Sequence, residues 1–170
     1  MSPHVLSPAL PTRAELRLPE LAALTRRYAA EVRAGRHGFV VDPVRRWYKL
    51  LRSDATVDVW LITWSTEQAA ELHDHGDSLG ALTVVGGALT EDRWEPDRSA
   101  LRRRRLGAGR TVGFNRGYVH EVSNPAVRPA VSVHAYSPPL TTMSYYKLDS
   151  AQLRRTRTAR TAQGSTEGIG

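Results

Sequence analysis

Between residues 56 and 148 the chain is a succession of short β-branched and aromatic segments, punctuated by Gly, Pro, Asn and Asp. TVDVWLITW (56–64) is followed by ALTVV (81–85) and ALTEDRW (88–94), and then by shorter pieces at 110–114, 118–123, 130–136 and 142–148. Runs of this length and composition read as strands rather than helices. Many short strands in series can bury their apolar faces only by packing sheet on sheet or by closing a sheet on itself. The reading is therefore an all-β sandwich, jelly roll or barrel. One helical signal precedes them. Pro19 opens it, Glu20 suits its first turn, Leu21, Leu24, Tyr28 and Val32 share one face at helical spacing, and Gly35 offers a stop.

These signals divide the chain into an arm rich in Pro and polar residues (1–18), a single domain with an N-terminal helix (19–153), and a polar, basic tail (154–170) expected to be disordered. At 170 residues the chain suits one hydrophobic core. It has no cysteine, which excludes disulfides, thiolate metal sites and a protein thiol nucleophile. Any metal must then be held by His, Asp, Glu or backbone oxygen. No apolar window is long enough to cross a bilayer, and the N-terminal residues lack a secretory pattern, so a cytoplasmic protein with no membrane partner is expected. The net charge of +7 is nearly all arginine, densest at Arg102 to Arg105. Aromatic residues are not interleaved with that run. It reads as a solvated loop or strand edge, with an anionic partner as the lesser alternative and no nucleic acid expected.

Four of the six histidines, His73, His75, His120 and His134, fall in strand-like places. On a strand, residues two apart point to the same face, so His73 and His75 can reach one ion, with Asp74 directed away. His120, far along the chain, could meet them from an opposite strand. Three neutral imidazoles bind iron, zinc, copper or nickel and leave coordination positions open, whereas a structural site would be closed by four protein ligands. The spacing by itself suits a hydrogen-bonded surface pair equally well. Ser132, His134 and Tyr136 alternate along one strand and share a face. They would form either a hydrogen-bonded relay or merely the polar outside of a strand. Both alternating sets of residues 59–64 are apolar, which leaves open whether Trp60, Ile62 and Trp64 or their neighbours face inward.

Three segments together resemble the cysteine dioxygenase family. LHDHGDSLGALTVVGGALTE (72–91) is similar to a first cupin motif, with Gly87 at the turn glycine. GYVHEVSNP (117–125) resembles the second motif, and SVHAYSPP (132–139) resembles the strand carrying a Ser-His-Tyr set. With Trp64 nine residues before His73, the similarity spans roughly residues 45–148. The resemblance implies a cupin barrel (a double-stranded β-helix, or jelly roll) and one iron(II) per chain held by His73, His75 and His120. It also implies an enzyme that adds both atoms of O2 to the sulfur of a small thiol, cysteine or a relative, to give a sulfinate. Tyr136 would face the open side of the iron, backed by His134 and Ser132. A monomer or small homo-oligomer is expected.

The chain departs from other cupins in one place and from the family pattern in two. Many cupins outside this family carry a Glu a few residues after the His-x-His pair; here Ser78 lies near that position, which leaves a three-His site, as the family has. The cysteine that some relatives cross-link to the active-site Tyr is replaced by Gly80, so Tyr136 is a free phenol. The family's arginine two residues after a strand Tyr has no counterpart after Tyr48, and Arg46, Lys49 and Arg52 are the candidate cations for a substrate carboxylate. Glu121 and Asp77 are the candidates to orient a ligand imidazole. Two other functions stay open: a metal-dependent enzyme of the same fold with a non-thiol substrate, and a ligand-binding barrel without catalysis.

Overall fold

The computed structural model describes residues 15–161. After helix α1 (Leu18–Arg33) come ten strands: β1 (Trp47–Ser53), β2 (Asp58–Trp64), β3 (Leu79–Gly86), β4 (Ala88–Glu95), β5 (Ala100–Gly107), β6 (Thr111–Phe114), β7 (His120–Ser123), β8 (Ala130–Ser137), β9 (Thr142–Asp149) and β10 (Gln152–Arg160). The first layer is an antiparallel sheet in the order β1-β2-β8-β3-β6. Opposite it lie two smaller sheets, β5-β4-β7 and β10-β9. Residues 67–74 run between them. Ala70 donates to Val122 O, His73 and His120 exchange backbone bonds, Asp74 donates to Ser144 O, and Tyr146 donates to Leu72 O. This segment hydrogen-bonds to β7 on one side and β9 on the other, so the second layer is continuous across it.

Every residue of β2 and β8 is buried, because the first layer is covered on both faces. Trp60, Ile62 and Trp64 face the barrel interior with Leu82, Val84, Phe114, Tyr136 and Tyr145. Val59, Leu61, Val131, Val133 and Ala135 face outward and pack under Leu21, Tyr28, Ala29 and Val32 of α1. A strand buried on both faces loses the apolar–polar alternation that marks an inside, which is why the orientation of 59–64 is not legible locally. The helix ends as expected: Gly35, at φ +74°, donates its N–H to Val32 O.

The structure corrects several expectations. Helix α1 begins at Leu18, one residue before Pro19. The arm lies mostly outside the described residues. From the tail, 154–160 belong to β10, whose partner β9 supplies the backbone hydrogen bonds that the polar sequence does not advertise. Residues 162–170 lie outside the described residues. The strand-edge reading of the arginine run holds: Arg102 to Arg105 form the middle of edge strand β5, a position where charged side chains are favoured. Among the described residues no helix is long and apolar enough to cross a membrane.

Gly87 sits at φ +72° between β3 and β4, and a Cβ there would lie 2.5 Å from Pro129 O and 2.8 Å from Ala130 Cα. Glycine alone allows both the backbone conformation and the approach of the segment that leads into β8.

Candidate metal centre and active site

His73 and His75 lie in the segment between β2 and β3 rather than on a regular strand. His73 nevertheless forms antiparallel bridges with both His120 and Tyr145, so the local backbone is fixed from two sides. Its N–H donates to His120 O at 2.9 Å, and the His120 N–H donates back to His73 O at 3.0 Å. Residues paired in this way carry their side chains to the same face. His75, two residues on, completes the group, and all three histidines are buried.

Their ligand nitrogens lie within 4.8 Å of one another. The Nε2 atoms of His73 and His75 are 3.2 Å apart. Two imidazoles bound to one ion at about 2.1 Å stand about 3.0–3.4 Å apart, so this separation suits ligands of a shared metal. The proton positions agree. His73 Nδ1 donates to Glu71 O at 2.6 Å, and His120 Nδ1 donates to Glu91 Oε1 at 2.8 Å. Each Nε2 is then a bare lone pair. The Nε2 of His120 is buried with no hydrogen-bond partner, an orphan that a metal ion would satisfy. Burial and the neighbouring imidazoles push His73 and His75 well below the usual histidine range, which keeps both neutral and ready to ligate. The donor set fits a divalent transition metal such as iron(II) with open positions.

The relay residues line the same interior. Ser132, His134 and Tyr136 are buried on β8 beside the metal cluster. Ser132 Oγ lies 2.9 Å from His134 Nε2, and Tyr136 Oη lies 3.3 Å from His134 Nδ1. Trp64 adds a member that the sequence did not reveal, since its Nε1 donates to Ser132 Oγ at 2.9 Å. Burial pushes His134 down to about 3, so it is neutral and donates through one nitrogen only. If the Ser132 hydroxyl donates to Nε2, the proton on Nδ1 is donated to Tyr136 Oη and the Tyr136 hydrogen is free to face a ligand. The reverse order strands the hydrogen of a fully buried serine, so the first order is favoured. Burial also raises the Tyr136 phenol, which stays protonated.

A small cavity of about 10 Å³ lies against His73, His120, His134, Tyr136, Trp64 and Met143, room for about one water-sized group. A larger groove of about 510 Å³ opens on the surface, lined by Arg93, Arg98, Arg102 and Arg116 among others, and includes none of the metal-cluster histidines. Its arginines pair with Glu95 and Glu15.

The three candidate cations separate by position. Lys49 is exposed and donates to Gly38 O, while Arg52 pairs with Asp54. In register these two oppose Leu61 and Val59, which face the helix. Arg46 has the parity of Tyr48, whose partner Ile62 faces the interior. Its guanidinium stacks over Trp64 at 5.0 Å and Tyr48 at 5.6 Å, and its Nη1 is buried without a partner. Burial lowers its pKa, yet a guanidinium remains cationic, so a half-buried charged donor keeps one nitrogen without a hydrogen-bond partner, with the Glu71 carboxylate as the opposing charge in its surroundings.

Other contributors were not legible in the sequence. Glu121 and Asp77 do not bond the ligand histidines, and Glu91 and the Glu71 carbonyl do so instead. Buried Asn124 ties Trp64 O, Ser65 O and Arg128 O together behind β7. Gly80 lies between Phe114 and Tyr136 in register, and a Cβ there would meet Phe114 Cε2 at 2.3 Å. The Phe114 ring thus fills the space over Gly80 and stacks on His75, with centroids 5.0 Å apart and planes 20° off parallel.

Comparison with known proteins agrees with this geometry. Among solved structures, the TT1209 protein from Thermus thermophilus is similar at 18% identity and a TM-score of 0.52, over 59% of this chain and 90% of that one. A cupin superfamily protein from Desulfitobacterium hafniense is similar at 6% identity and a TM-score of 0.50, over 58% and 83%. An oxalate oxidase in complex with glycolate matches at 18% identity and a TM-score of 0.52, over 64% of this chain and 58% of that one. These likenesses establish the cupin, double-stranded β-helix fold. The model of the family described as "Cysteine dioxygenase type I" matches residues 8–149, a span that includes the three converging imidazoles and the Ser-His-Tyr strand. By that match the chain belongs to the cysteine dioxygenase type I family, within the metal-dependent cupin enzymes.

Proposed function

We propose that this protein is a non-haem iron(II) thiol dioxygenase that adds both atoms of O2 to the sulfur of a small anionic thiol and releases a sulfinate. The observation that supports it best is the convergence of three buried imidazoles, two of which line a cavity that the Tyr136 relay also lines. Iron(II) held by His73, His75 and His120 would supply the redox centre and the open coordination that this reaction needs.

The chain's own residues have distinct tasks. Arg46 binds the carboxylate of the thiol, because its buried Nη1 lacks a hydrogen-bond partner that an anion would supply, and this selects against neutral or cationic substrates. Tyr136 donates its hydroxyl hydrogen to the reacting oxygen. His134 holds that phenol in place, and Ser132 with Trp64 fixes the direction of the hydrogen bonds behind it. The walls formed by Ile62, Val122 and Met143 keep water scarce, so these polar contacts act in a low dielectric.

The test is oxygen uptake and sulfinate detection by mass spectrometry with the iron-loaded protein, offered L-cysteine, 3-mercaptopropionate and cysteamine in turn. Carboxylate-bearing thiols should consume one O2 per sulfinate formed, and cysteamine should be the poorest substrate. Iron-loaded protein that produces no sulfinate from any thiol would sink the proposal.

A further inference from the structure

We propose that Glu91 is a positioning residue for the metal ligand His120, held in place by Arg104 and Tyr118. This rests on the reading that His73, His75 and His120 hold a divalent metal.

Glu91 lies on β4 with its side chain turned into the barrel, between Val122 of β7 and Arg104 of β5 in register, and is fully buried. Its neighbours on that face, Leu89 and Leu106, are aliphatic. A carboxylate in such a place is strongly destabilising unless each oxygen is engaged. Here both are. Oε1 accepts from His120 Nδ1 at 2.8 Å and from the Tyr118 hydroxyl at 3.1 Å, while Oε2 accepts from Arg104 Nε. Arg104 Nη2 also donates to the Tyr118 oxygen at 3.0 Å, which closes the network. The network thus runs from the partly exposed Arg104 to the imidazole.

The consequence falls on the ligand atom. A proton fixed on Nδ1 leaves Nε2 bare, and an ionised acceptor behind the ring makes that nitrogen more basic. His73 has a neutral backbone carbonyl in the equivalent place, so among the described residues His120 is the cluster histidine backed by a full charge. The negative charge also favours a more positive ion. The arginine run thereby gains a role: Arg103 pairs with Asp92 on the outer face of the sheet, and Arg104 turns inward to hold Glu91 charged.

The experiment compares wild type, Glu91→Gln and Glu91→Asp by Co(II) titration against a competing chelator, and by the midpoint potential of the iron-loaded forms. Circular dichroism of the metal-free proteins serves as the folding control. Glu91→Gln should weaken Co(II) binding by about 10–100-fold and raise the iron potential, because the charge that favours the ferric state is gone. Glu91→Asp keeps the charge but withdraws it by one methylene, and should weaken Co(II) binding by about 5-fold or more with a smaller rise in potential. A folded variant of either kind that binds Co(II) within about twofold of wild type at an unchanged potential overturns this role for Glu91 while leaving the metal site intact. Wild type that takes up no Co(II) overturns the metal reading and this role with it.

Discussion

His73 and His120, distant in the chain, are locked together by two reciprocal backbone hydrogen bonds of 2.9 and 3.0 Å. Their imidazole centroids lie 4.9 Å apart, on side chains that the main-chain pairing brings to one face. A ligand pair built in this way is preorganised: the metal need not gather the chain, only fill a prepared gap. Replacing His120 by Ala should therefore leave the fold in place and remove metal binding, read as loss of bound iron in elemental analysis and of oxygen uptake. A His120→Ala protein that retained stoichiometric iron and full activity would discard the triad.

Tyr136→Phe deletes a hydroxyl that makes one protein hydrogen bond, to His134, and leaves the ring to pack near His75 and Phe114. Iron content should be unchanged, while turnover falls by about 10²–10⁴-fold if the phenol acts in proton transfer. Equal rates in the two proteins would remove Tyr136 from the chemistry.

Arg46→Met keeps the bulk beside Trp64 and removes the charge. For a carboxylate-bearing thiol, kcat/KM should fall by about 10–100-fold, the range expected for losing a charge-assisted hydrogen bond, whereas cysteamine should lose little. A uniform loss across all thiols would mean that Arg46 shapes the wall of the site without reading the substrate.

Metal-free stability should decline on acidification, because His134 is neutral when buried and is held down to about 3 against an ordinary value of 6.5. Between those values the unfolded chain binds the extra proton. Stability is therefore fully present above the unfolded pKa and falls by about 1.4 kcal/mol per pH unit below it for this one group. His73 and His75 are shifted the same way and add to the slope. Urea unfolding from pH 7.5 to 5 should show a shallower decline in His134→Gln than in wild type. Parallel profiles would contradict the assignment of His134 as buried and neutral.

Gly80→Ala tests the wall beside His75. The new methyl would press on Phe114, whose ring is almost completely buried, so overpacking of about 1–3 kcal/mol is expected in chemical denaturation. The displaced ring should also perturb the visible spectrum of Co(II) bound at His75. A stable variant with a wild-type spectrum would mean that Phe114 yields freely.

Much of the site was legible before any tertiary information. The β-branched runs at 56–64, 81–85 and 130–136 marked strands, and the alternation of Ser132, His134 and Tyr136 placed them on one face. What local pattern left open was decided by pairing between distant segments. Neither alternating set of β2 looks polar, so only the packing of α1 against Val59 and Leu61 assigns Trp60, Ile62 and Trp64 to the interior. The strand β10 is polar in sequence and becomes a strand because β9 satisfies its backbone. Glu91 reads as an ordinary surface carboxylate until β4 lies between β5 and β7, which turns it toward His120. Of Arg46, Lys49 and Arg52, strand parity and the partners available to each leave Arg46 on the interior side with its Nη1 buried and unpartnered. The sequence by itself determined which residue types the chain could bring to a metal and which β-branched and aromatic runs became strands. Tertiary structure decided which side chains face the candidate metal site, because facing is a property of register and register is set by hydrogen bonds between strands far apart in the chain.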